Sequence, residues 1–370
     1  MKRPPFKYIV GLAMFLGICS AQASKLRPEG TFIEQKLANR SQGYFEKILS
    51  SVALRGIHQL GEPVHEEITN RILGCNGDAD MCGDPDLDPD NAYVLAGVRW
   101  NDDPPFRFEK GHGDFGGCES GATVRLVTFP QCWGNVFKDG ERKAHAGRAL
   151  TAETAPLLTR SHFGDMQYLH AMASNDNETA AVVRQRILSW AEFTWRVGAG
   201  EFPNAMLVKD VPIEAISRDF RTKGWSIQDL FALGNPYVRK PENMSKLAFG
   251  SFLHMLQDSF ADGHAERGST DGMTTCGPTL PLKSPGQIVE FHSYVHQDSK
   301  KHGEDDSRIA FSTSWNARSP NVVDVGRVFN EYFLRKASWA EVKPYVECVF
   351  AIHPDARNSS PGDKYVISQR

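Results

Sequence analysis

Apolar residues recur at helical spacing along most of the chain. Tyr44, Phe45, Ile48, Leu49 and Val52 fall on one face of a helix. Pro63 opens the next, striped by Val64, Ile68 and Ile72. The pattern predicts a short helix over 91–98 and a long one over 177–197, with Val183, Ile187, Ala191 and Trp195 in register. Helices over 213–220 and 226–233 follow, then one capped by Ser245 and running to about Phe260. Two more are expected at 323–335 and 338–350. Strand signals are few: Thr123–Phe129 reads as a short hairpin inside a Gly-rich loop, about 111–148. The stretch after Pro354 is polar and expected to fray. The reading is all-α: one compact multi-helix domain with a loop insertion.

The N-terminus breaks this pattern. Lys2, Arg3 and Lys7 precede the apolar run Tyr8–Cys19, and Ala21-Gln-Ala23 supplies small residues at cleavage spacing. Residues 1–23 therefore read as an export signal, leaving 24–370 as the mature domain. The run is too short to span a membrane comfortably. Cleavage leaves 39 basic and 45 acidic residues, net −6, which argues against a general nucleic-acid binder. Export also makes disulfides expected among the six remaining cysteines. Fifteen pairings are possible. The local ones, Cys75–Cys82 and Cys118–Cys132, leave Cys276–Cys348, and the second would staple the Gly-rich insertion. No cysteine lies in a CxxC pair, so a thiolate zinc site is not expected.

The main chemical signal is Phe252-Leu-His254-Met-Leu-Gln-Asp258-Ser-Phe-Ala-Asp-Gly-His264. His254 and Asp258 share one face of an apolar helix, one turn apart. A buried aspartate needs compensation, which a metal ion supplies. A plain core His–Asp hydrogen bond would use the same spacing. Gly263, however, breaks the helix so that His264 can turn back as a third ligand. Downstream, His302/Asp306 and His292/His296 each repeat the i, i+4 spacing, and either pair would complete a tetrahedral zinc site with His264. Added carboxylate suits a multi-cation cluster, which favours His302 and Asp306.

Three weaker groups precede these. His65 sits on the first turn of its predicted helix. Trp100-Asn-Asp102-Asp103-Pro-Pro fixes adjacent carboxylates in a turn, suited to a ligand or a base. Ser161-His162-Phe163 offers a further imidazole. By contrast, Asp84-Pro-Asp-Leu-Asp-Pro-Asp90 lacks the glycine and glutamate of a calcium loop and reads as a solvated turn. Trp190 and Trp195 read as core.

Together these motifs resemble the bacterial zinc-dependent phospholipases C, relatives of the single-strand-specific zinc nucleases. The central His-x3-Asp-x5-His matches His254, Asp258 and His264. A later His-x3-Glu is matched by His302 and Asp306, with Asp for Glu. His65, Asp102 in Trp-x-Asp, and His162 in His-Phe match in order, over about residues 58–306. The resemblance implies a compact all-α fold and zinc, two to three ions, on His65, Asp102, His162, His254, Asp258, His264, His302 and Asp306. It departs at the N-terminus: the family's mature N-terminal residue is a ligand, whereas Ser24 lies far ahead of His65. His58 is the candidate replacement. Loop spacings are also longer than in compact members, as in a secreted Gram-negative subgroup. About 64 residues follow Asp306, so no C-terminal lipid-binding sandwich is expected.

The implied activity is phospholipase C: hydrolysis of glycerophospholipids, phosphatidylcholine foremost, to diacylglycerol and a phosphorylated headgroup. Asp102 would orient or deprotonate the attacking water. The expected partner is a phospholipid substrate at a membrane surface, with no nucleic acid and no obligate protein partner. The protein is expected to be a monomer, secreted to the extracellular side through the periplasm. A zinc nuclease or 3′-nucleotidase would use the same metals with base-stacking aromatics and a basic groove. A non-catalytic zinc protein would close the metal shell.

Overall fold

The structure is a computed structural model, and it describes residues 30–38, 62–109, 111, 113–269, 275–277 and 280–367. The export signal, the expected helix around Tyr44–Val52 and His58 lie outside the described residues. Helices dominate, as the apolar periodicity requires. Among the described residues the first four are α1 Phe32–Ala38, α2 Val64–Ile72, α3 Ala79–Cys82 and α4 Ala92–Val98. Two strands follow, β1 Phe106–Arg107 and β2 Thr123–Val124. The centre of the chain carries α5 Pro130–His145, α6 Leu157–Phe163, α7 Ala180–Gly198, α8 Glu214–Asp219, α9 Ile227–Ala232 and α10 Pro241–Asp258. Strands β3 Ala265–Arg267 and β4 Ile288–Phe291 precede the last four helices: α11 Ser299–Asp305, α12 Arg308–Thr313, α13 Val322–Leu334 and α14 Trp339–Val349.

Helix α10 is the hub. It packs on α7 through Trp195, whose ring meets Phe249 and Phe252 edge-on, and on α4 through backbone contact. A Cβ on Gly97 would lie 2.2 Å from Leu247 O, and one on Gly250 would lie 2.2 Å from Val94 O. Only glycine at both positions lets the two helices touch. That crossing sets Asp102, just past α4, beside His254, one turn past Gly250. Trp190 and Trp195 are core residues as expected, both buried.

Several boundaries differ from the sequence reading. Helix α10 starts at Pro241, because a proline with fixed φ serves as a first helical residue. Ser245 is therefore interior, and its hydroxyl donates to Gly198 O. The Gly-rich 111–148 stretch is not all loop: α5 fills its second half. Gly140 is needed there because a Cβ would lie 2.4 Å from Thr159. Thr123–Val124 pairs antiparallel with Phe106–Arg107 rather than forming its own hairpin. The segment after Pro354 is packed, not frayed: Ser359 and Tyr365 are buried. His292 and His296 do not share a helix, since β4 and a bend carry this stretch.

Three disulfides close, Cys75–Cys82, Cys118–Cys132 and Cys276–Cys348, which fits an oxidising compartment. Among the described residues no helix is long and apolar enough to cross a membrane.

Candidate metal centre

All eight expected ligands converge on one place, and the structure adds a ninth residue. His254 and Asp258 leave the same face of α10, with His254 Nε2 3.1 Å from Asp258 Oδ2. From α2, His65 Nε2 lies 3.2 Å from Asp258 Oδ1. Asp102 Oδ1 lies 3.8 Å from His254 Nε2 and 3.9 Å from His162 Nε2. The second half of the centre is His264, just past α10, with Asp306 Oδ1 3.3 Å from its Nε2. His302 Nε2 is 3.2 Å from Asp306 Oδ2. The ninth residue is His170, whose Nδ1 lies 2.9 Å from Asp258 Oδ2. All nine are buried except His162, which is partly exposed.

The hydrogen bonds around the histidines orient them as ligands. His65 Nδ1 meets Gln257 Oε1 at 2.7 Å, and Gln257 is itself held by its amide donating to Thr69 Oγ1. His264 Nδ1 meets His170 O at 2.7 Å, and His162 Nδ1 meets Leu158 O at 2.8 Å. A carbonyl oxygen only accepts, so at His162 and His264 the proton sits on Nδ1 when the ring is neutral; the Gln257 contact, taken through its oxygen, does the same for His65. In each case Nε2 is left to face the cluster as a lone-pair donor, the usual arrangement of a metal-bound imidazole.

The donor set fits a small cation. Ligand bonds of about 2.0–2.1 Å around zinc put neighbouring ligand atoms about 3.3–3.4 Å apart in a tetrahedron. The separations here, 2.9–3.9 Å, bracket that edge. His162 Nε2 and Asp102 Oδ2 are buried with no hydrogen-bond partner. Buried polar atoms left this way are costly, and an ion satisfies them. The electrostatics agree. Burial pushes the Asp258 carboxyl up, but His254, His264 and His65 together hold it well below the usual carboxylate range. Burial keeps His162 well below its ordinary value, hence neutral.

Asp103 takes no part. It accepts from Leu126 N at 3.0 Å and Trp133 Nε1 at 2.8 Å, and burial pushes its carboxyl up to about 7 despite Arg125 nearby. Asp102 is thus the carboxylate of the pair that faces the centre. Of the competing downstream pairs, His302 and Asp306 join His264, while His292 and His296 do not. His292 lies near Glu266 and Glu290, but Arg357 already bridges those two glutamates. His296 is exposed and pairs with Asp176 at 2.7 Å.

His170 was not found from sequence. It ends a single 3-10 turn, Gln167–His170, and the helix carrying His162 stops at Phe163, so no helical register links the two residues. A cavity of about 30 Å³ opens against Asp102, His162, His170, His264, His302 and Asp306, walled by Phe163, Met172 and Tyr294. That is room for one or two waters or ions. No family model, curated protein or solved structure matches the chain.

Proposed function

We propose that the chain is a secreted zinc-dependent phospholipase C with the all-α fold of the zinc phospholipases and nucleases. The observation that carries this reading is the meeting, in one cluster, of eight residues singled out in the sequence by spacing, charge and motif order. The groups with open valence are nitrogen and carboxylate oxygen, the donors zinc favours. Bound there, zinc would hold the phosphate oxygens of a diester, lower the pKa of a water and stabilise the departing alkoxide.

The chain's own residues supply the rest. Asp102 Oδ2 is buried with no hydrogen-bond partner, and Asp102 lines the cavity. It is the group placed to orient the attacking water and accept its proton. Phe163, Met172 and Tyr294 limit the water that reaches it. The cavity admits the reacting phosphoryl edge only, so headgroup and acyl chains lie outside it.

The test is product analysis of the purified, zinc-loaded protein on a mixed lipid extract beside single-stranded DNA. Diacylglycerol with a phosphorylated headgroup supports the phospholipase. Nucleotides without diacylglycerol would move the assignment to the nuclease. No turnover of either by a zinc-replete protein would leave a zinc-binding protein without this activity.

A further inference from the structure

The segment after α14 turns back and runs along β4 and the loop beyond it. His353 N donates to Ile288 O, and Arg357 N donates to Val289 O, both at 2.8 Å. Ser293 N then donates to Ser360 O at 2.9 Å, and Asp298 N to Tyr365 O at 2.6 Å. This strap reaches two residues that immediately precede metal-ligand candidates, one directly and one through Gln297. The Tyr365 hydroxyl donates to Asp305 Oδ2, which also pairs with Lys364 Nζ at 2.7 Å; Asp305 precedes Asp306. The Gln297 amide donates to Gly263 O at 2.8 Å and to Pro361 O of the strap at 2.7 Å; Gly263 precedes His264.

We propose that the strap, through Tyr365, Lys364 and Gln297, positions the His264/His302/Asp306 half of the centre for its metal ion. This rests on the metal reading above. The two halves are held differently. His254 and Asp258 belong to an eighteen-residue helix whose last twelve residues, Leu247–Asp258, are all buried. His302 and Asp306 hang on a seven-residue helix, with Asp306 as its C-cap. So short a helix has little stability of its own, and its last turn frays unless tied. Ligand affinity demands placement within about 0.5 Å. The strap ties that turn at Asp305 and, through Gln297, holds Gly263 at the turn that leads into β3. Tyr365, Lys364 and Gln297 are therefore positioning residues: they act through Asp305 and Gly263 and do not touch the ion.

Selectivity is what the test reads. The full chain is stripped of metal and titrated with Zn²⁺ against a competing chelator. In wild type at least two ions are expected to bind. Tyr365→Phe keeps the ring and loses one donor; Gln297→Leu loses both of its side-chain bonds; Lys364→Met removes the exposed ammonium that pairs with Asp305. Each is expected to weaken one ion by about 10–100-fold and leave the others unchanged, with the stripped protein melting close to wild type. Uniform weakening of every ion, or no change in any variant, would overturn the strap while leaving the centre intact. A wild-type chain that binds no zinc would overturn the centre itself, and the strap's role with it.

Discussion

His170 Nδ1 lies 3.1 Å from His254 Nε2. Two ring nitrogens this close either share one proton or face a common cation. Both also face Asp258 Oδ2, so a cation satisfies all three at once. His170→Ala should therefore cost metal affinity at the His254/Asp258 half by at least about 100-fold, since a ligand matters more than the groups that support one. Zinc titration of the stripped variant checks this, and unchanged affinity would make His170 a bystander.

Metal binding should release protons. In the metal-free chain burial pulls His65 and His264 down, but Asp258 outweighs it for His65, and Asp258 with Asp306 for His264. Their pKa values rise to about 10 and about 9. Both rings are then protonated at pH 8 and must give up that proton to bind a cation. Zinc binding at pH 8 should release about two protons per chain, and affinity should climb as pH rises toward 9. The same raised values fix a stability trend without metal. The stabilisation is complete below the unfolded histidine pKa, about 6.5, and is lost as pH rises through 9 and 10. Calorimetry in two buffers of different protonation enthalpy reads the protons; identical heats would contradict the expectation.

The downstream pairs should separate cleanly. His302→Ala/Asp306→Ala removes two of three groups around one site and should lose one zinc and nearly all turnover. His292→Ala/His296→Ala should keep every ion, because neither ring reaches the cluster. Elemental analysis of both variants decides it.

Gly263→Ala should damage the centre without touching a ligand. A Cβ there would lie 2.9 Å from His302 Nδ1, so the imidazole must move. Overpacking of this kind costs about 1–3 kcal/mol. Loss of zinc affinity in a variant with wild-type secondary structure is the expected result, and full retention would show that His302 has slack.

The helices were legible wherever an apolar stripe ran for several turns: Val183, Ile187, Ala191 and Trp195 announce α7, and the His254/Asp258 face announces α10. The failures have physical causes. Helix α5 carries Gly134 and Gly140, and the latter is there for close packing on Thr159, a tertiary demand that looks like a loop in sequence. His292 and His296 mimic helical spacing in an irregular stretch of bend and turn just past β4, where the chain turns between them and leaves His292 buried and His296 exposed. His170 is held by a turn whose position depends on contacts far away in sequence. The packed end of the chain is polar because its bonds run to Asp305, Glu290 and Gln297 instead of to an apolar core, so composition suggested fraying.

The ligand set runs from His65 to Asp306 and is drawn from segments far apart in sequence, gathered around the end of α10. A nascent chain therefore displays no finished half of the His264/His302/Asp306 site until residue 306 has left the ribosome. Until then Asp258 lies among incomplete partners. The complete cluster can be assembled only late in synthesis or after it, so a metal ion bound there would be loaded late, and the compartment in which folding finishes would set which metal it meets.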